Sequence, residues 1–131
     1  PVLSETALWG LRDGVVVRHG EHPLELPRSR GATAFALTAT RVLWLKEGGL
    51  WMTELETPEG GFLLADGLTG DTVRAHGEQA LFMGRRGLGL MNLEVGTIEW
   101  LAAEAEAFDL TPDGGATWLK GGRVHQRAGR P

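Results

Sequence analysis

The chain has 131 residues, room for one domain with its own core. It contains no Cys, which excludes disulfides, thiolate catalysis and cysteine-ligated zinc or iron–sulfur centres, and fits a reducing compartment. Hydrophobic residues make up 42% and the net charge is −4, a balance that excludes a disordered chain.

Twenty Gly, six Pro and five Trp point to many short strands and tight turns. The bases are 11 Arg and 2 Lys, with one Asn, two Gln and one Ile, a bias expected of a GC-rich genome and compatible with a thermophile. The charge is uneven. Residues 120–131 carry Lys120, Arg123, Arg127 and Arg130 and no acid, while the rest holds nine bases against 17 acids. An acidic body with a basic C-terminal tail argues against general nucleic-acid binding. The tail reads either as a frayed solvated terminus or as a dock for an acidic partner surface. No run reaches the ~18 apolar residues of a membrane helix. The start, PVLSETALWG, lacks a signal peptide's basic and apolar regions, and Pro1 is read as following a removed Met. The expected location is cytoplasmic, without direct membrane insertion.

In chain order, Trp9 precedes Gly14, Trp44 precedes Gly49, Phe82 precedes Gly87, and Trp118 precedes Gly122. The aromatics are 35, 38 and 36 residues apart, so the chain reads as four copies of one β unit. In each unit an aromatic strand b meets a Gly turn, whose positive φ a tight hairpin requires, and then an apolar strand c. Shorter strands d follow at Pro23–Pro27, Gly61–Ala65 and Thr97–Leu101, and strands a precede the later aromatics at Thr33–Thr38, Thr72–Ala75 and Glu106–Leu110. The predicted fold class is all-β: antiparallel four-stranded repeats of about 36 residues joined as meanders. The stretch 98–108 is rich in Ala and Glu, so a short helix there competes with strand d plus a loop.

The segment Ala80 to Trp100, ALFMGRRGLGLMNLEVGTIEW, resembles a β-propeller blade of the quinoprotein or WD type. The likeness covers most of the chain, but its motifs are degenerate, and neither a quinone-binding signature nor a Gly-His…Trp-Asp pair is present. It implies a partial or small β-propeller-like fold and no chemistry. The strand count gives about three and a half blades, so either Pro1–Ser4 adds a strand to a small four-bladed ring or the array stays open.

The candidate sites each have a bland reading beside them. His19 and His22 flank a Gly-Glu turn without an evident third metal ligand. Gly84-Arg85-Arg86-Gly87 could hold a phosphate or be a solvated hairpin tip. Asp66 to Asp71 superficially resembles a calcium loop but lacks its alternating acids and closing Glu. Glu54/Glu56 and Glu104/Glu106 have nothing beside them that would perturb a carboxyl. Ser4 and Ser29 sit in no nucleophile elbow. All b–c tips of a meander point to one end, which would gather Arg12, Lys46, Arg85, Arg86 and Lys120, while the c–d turns would gather Glu21, Glu56, Glu59 and Glu94 at the other. Trp51 and Trp100 are less regular than the other Trp residues, and each reads as core or as an interface anchor.

The expected function is a non-catalytic accessory subunit that stabilises a larger protein complex, with no cofactor or metal of its own. Its partner-binding residues are Arg12, Lys46, Trp51, Arg85, Arg86, Lys120, Arg123 and Arg127. In size and composition the chain is similar to a small accessory subunit of the peripheral arm of a bacterial respiratory NADH–quinone oxidoreductase (complex I). That similarity implies a position peripheral to the inner membrane through the partner. The alternative is a stand-alone ligand-binding propeller that completes its ring as a homo-oligomer. A weaker third is a hydrolase built on His76 with Asp71 or Asp113.

Overall fold

The computed structural model of the chain describes residues 2–3, 8–20 and 23–129. Strands β1 (Val2–Leu3), β2 (Leu8–Arg12), β3 (Val15–His19) and β4 (Leu24–Glu25) form blade I. Blade II comprises β5 (Ala34–Leu37), β6 (Arg41–Lys46), β7 (Gly49–Glu54) and β8 (Phe62–Ala65). Blade III comprises β9 (Leu68–His76), β10 (Gln79–Gly84), β11 (Gly87–Asn92) and β12 (Ile98–Ala102). Blade IV has three strands, β13 (Ala107–Leu110), β14 (Ala116–Lys120) and β15 (Arg123–Arg127). Every sheet is antiparallel and runs in sequence order, as the repeat period implies.

The expected a–b–c–d assignments hold throughout. Val2–Leu3 pairs with Leu8 and Trp9 and occupies position a of blade I, while Pro1 and Ser4 lie outside the described residues. No helix forms over 98–108. Ile98–Ala102 pairs with β11 and Ala107–Leu110 pairs with β14, so the two ladders override the helix propensity of the Ala- and Glu-rich sequence between them. Within the basic C-terminal stretch, Lys120 ends β14 and Arg123–Arg127 form β15, so these bases belong to the sheet, while Arg130 lies outside the described residues.

The turns show how the sequence sets the register. Asp13–Gly14 and Glu47–Gly48 both have positive φ at each position, the I′ geometry that suits a two-residue hairpin. Gly49 is therefore a strand residue rather than the turn glycine it was expected to be. A Cβ there would lie 2.7 Å from Leu63 Cδ1 and 3.0 Å from Trp51 Nε1, so these two side chains close over the bare glycine.

Three apolar seams hold the blades together. Trp9, Val16, Leu26, Ala32, Val42 and Trp44 fill the I–II seam. Leu43, Leu50, Met52, Val73, Phe82 and Met91 are prominent in the II–III seam. Leu81, Leu88, Leu90, Ala116 and Trp118 fill the III–IV seam. Trp9, Trp44, Phe82 and Trp118 thus stand where the repeat placed them, each 9% exposed or less. No seam of described residues joins blade IV to blade I, and Val124 on the outward face of blade IV is 72% exposed.

Candidate protein-interaction surface

The b–c tips share one end of the molecule with the d–a connections. Gly14 O accepts from Gly31 N and Ala32 N, Gly48 O accepts from Leu68 N, and Gly67 O accepts from Arg85 N, which ties each tip to a connection. Arg12, Lys46, Arg85, Arg86, Lys120 and Arg123 lie at this end, as their places at the tips require. The tips also bear Asp13 and Glu47, which the sequence reading passed over, so the end is mixed in charge. Glu56, Glu59 and Glu94 are exposed in c–d turns at the opposite end. Glu21 and His22 lie outside the described residues.

The eight residues assigned to the partner surface do not behave alike. Arg12 forms an ion pair with Glu25. Lys46 is half-buried, and its Nζ donates to Arg28 O at 3.4 Å. Arg127 is not a tail residue: it grips Glu99 of blade III with Nε to Oε2 at 2.9 Å and Nη2 to Oε1 at 2.7 Å. This fork raises the guanidinium pKa above its ordinary value, chiefly through the hydrogen bond from Arg127 to the Glu99 carboxylate. Trp51 is half-buried in the I–II seam beside Trp44. Arg85, Arg86, Lys120 and Arg123 are exposed, and none makes an ion pair among the described residues.

Trp100, which the sequence offers beside Trp51 as core or interface anchor, is the more exposed of the two. It pairs with Gly89, stands edge-on to Phe82 with ring centroids 6.2 Å apart, and remains 37% exposed. A Cβ on Gly89 would lie 2.9 Å from the Trp100 ring, and one on Gly84 would lie 3.4 Å from it, so the two glycines form the floor on which the indole rests. The Arg86 guanidinium lies 5.9 Å from the centre of the indole, within cation–π range. Trp100, Phe82, Gly84, Ile98 and Arg86 line one side of a cleft of about 380 Å³ between blades II and III. Leu64, Ala65, Asp66 and Gly67 line the other. Arg85 closes the tip end against Gly67.

The other candidates do not assemble. His19 is exposed at the end of β3. Asp71 and His76 lie on the same strand five residues apart, about 16 Å along it, and both are exposed. The Asp113 carboxylate accepts hydrogen bonds from the Thr111 hydroxyl and Gly115 N, which hold its pKa below the ordinary 3.8. His125 is stacked on Trp118 at 5.7 Å. Glu106 accepts from Gly121 N. Among the described residues no group of three or more His, Asp or Glu is placed to hold a metal.

No family model and no curated protein matches the sequence. Two solved structures are similar in fold. One is a chain of the S. cerevisiae complex of a Dbp5 variant bound to Nup159, a Gle1 variant, IP6 and ADP, with a TM-score of 0.65 and 11% identity over 97% of this chain. The other is the N-terminal domain of Nup159, with a TM-score of 0.62 and 10% identity over 94% of this chain. This chain spans 42% and 41% of those chains, about two fifths of their length. The Nup159 domain is a β-propeller, and the likeness establishes that the four sheets of this chain are propeller-like blades.

Proposed function

We propose that the chain is a non-catalytic interaction module, an accessory subunit that stabilises a larger cytoplasmic protein assembly and carries no cofactor. One observation carries this reading. At the rim of the II–III seam the fold leaves Trp100 37% exposed beside two arginines that have no ion partner among the described residues. Trp and Arg are the residue types that dominate binding energy at protein interfaces. The similar structure that contains Nup159 with Dbp5 and Gle1 adds general support for a propeller-like scaffold in a protein complex. The specific assembly we put forward is the peripheral arm of a respiratory NADH–quinone oxidoreductase. The size of the chain and its Arg-rich, Cys-free composition support that choice, and the fold likeness does not bear on it.

Gentle purification from the native source tests the proposal. A particle containing this chain at fixed stoichiometry with other subunits supports it, and NADH–quinone oxidoreductase subunits in that particle support the specific assembly. A chain that elutes alone overturns both. A second reading has its own observation: among the described residues blade IV has three strands and no fourth, and Val124 on its outward face is 72% exposed. Completion of the ring by a second copy covers that face, and a stable homodimer in sedimentation is its signature.

A further inference from the structure

We infer that the cleft between blades II and III is a peptide-docking site. Its ligand is an extended segment of a partner protein in which a large apolar side chain lies next to acidic residues. This rests on the interaction-module reading and names the site and the chemistry of its partner.

The cleft is built for an apolar side chain with an acidic neighbour. Its floor and walls are Phe82, Ile98 and Trp100 from blade III and Leu64 and Ala65 from blade II. Phe62 shares the blade III–facing side of β8 with Leu64 and is 51% exposed, so the apolar wall continues past the cleft mouth. A free phosphate or other small anion would leave these surfaces wet and gain nothing from them. The tip end is cationic. Arg85 and Arg86 are exposed, make no ion pair among the described residues, and face one carboxylate, Asp66, which accepts a hydrogen bond from Gly67 N. Two guanidiniums against one carboxylate leave a net positive rim, which selects an acidic neighbour for the anchoring side chain.

The anchor on this side is already ordered. Trp100 is held by Phe82 and by the Gly84–Gly89 floor, and Arg86 lies over its ring, so little side-chain freedom remains to be lost on binding. The corresponding space in the I–II seam is covered by the chain's own connection after β4, where Leu26 and Ser29 are fully buried. The II–III connection, Asp66–Gly67, has no residues to spare for that role. The chain therefore supplies a filler for one cleft and leaves the next open.

The experiment selects a phage-displayed library of random twelve-residue peptides on the folded chain. Enriched peptides are then synthesised and titrated against wild type, Arg85→Glu/Arg86→Glu and Trp100→Ala, with amide and indole NMR shifts as the readout. The expected peptides carry Asp or Glu within two positions of Phe, Trp, Leu or Met. Their shifts should centre on Trp100, Gly84 and Leu64, with affinity at least tenfold weaker in either variant and falling with added salt. The arginine double variant alters exposed turn residues only, so it keeps the test valid if Trp100→Ala is poorly folded. Three results overturn the inference: no enrichment, enriched peptides without acidic residues, or equal binding to the arginine variant. Native purification of that variant separates the two levels. If it still co-purifies with the assembly at wild-type stoichiometry, the module reading stands and the cleft is not its contact. If the wild-type chain elutes alone, the module reading itself fails.

Discussion

The I–II and II–III seams are built from the same repeat and end differently at the rim. In blade II the large residue lies on strand c: Trp51 pairs with Trp44, and Leu63 follows on strand d. In blade III strand c carries Gly89 opposite Phe82, and the large residue is Trp100 on strand d. The indole has moved outward by one strand spacing, about 4.8 Å. At the tip end Lys46 and Gly84 are equivalent, since each closes its hairpin opposite a glycine. The Lys46 stem lies against Gly31 of the I–II connection, whereas Gly84 leaves room for Trp100. The connection itself makes the larger difference. Ser29 in the 3-10 turn Pro27–Ser29 accepts from Val16 N at 2.8 Å and donates to Leu26 O at 2.6 Å, which locks the connection over the I–II seam. The lesson is that a cleft in a repeat fold arises where a connection is short and the aromatic is displaced outward, without any change in the strand order of the blade.

The comparison breaks first if the sealed seam is not the stronger one. Trp44 is fully buried, so Trp44→Ala should cost about 4 kcal/mol in urea unfolding. Trp100→Ala, at the open rim, should cost about 1–2 kcal/mol because over a third of its surface is already in water. Equal losses would mean that Trp100 is packed as fully as Trp44 and that the II–III rim is not open. Ser29→Ala probes the lock directly: it strands the buried Val16 N–H and should cost about 2 kcal/mol, with faster amide exchange at Val16 and Ala32. Gly89→Ala sharpens the other side. Its Cβ would press on the Trp100 ring at 2.9 Å, so a cost of about 1–2 kcal/mol should come with a change in near-UV circular dichroism.

The smallest effect lies outside both seams. The Asp113 carboxyl has a folded pKa below 3.8, so its stabilising contribution is present above that value and lost as pH falls through the folded pKa. Acidification below 3.8, through the depressed folded pKa, should shift the Gly115 amide and loosen the 111–115 turn, while the indole signals of Trp44 and Trp100 stay in place. Simultaneous loss of the indole signals would show that the turn and the seams unfold as one unit.

Much of the fold could be read from the sequence because its signals are local. The Trp9, Trp44, Phe82 and Trp118 spacing, with a glycine soon after each, is enough to place strands b and c of every blade. The short strands beside them follow from alternation and flanking Pro and Gly. The cleft was legible only in parts. Arg85 and Arg86 stand out in a hairpin tip, but the choice between Trp51 and Trp100 depends on which strand faces a sealed connection, a long-range fact. Gly84 and Gly89 looked like ordinary turn and strand glycines, and only the packing of the Trp100 ring explains them. Arg127 was misread as a tail charge because its partner, Glu99, is 28 residues away on another blade.

The central claim, that one seam is sealed at its rim while the next presents Trp100, is tested most directly by fluorine NMR of the chain labelled with 5-fluorotryptophan. The five resonances are assigned by single Trp→Phe replacements and compared in H2O and D2O. The account predicts the largest solvent isotope shift at Trp100, an intermediate one at Trp51 and none at Trp44. A Trp100 resonance as insensitive to D2O as that of Trp44, or a Trp51 shift exceeding it, would contradict the account.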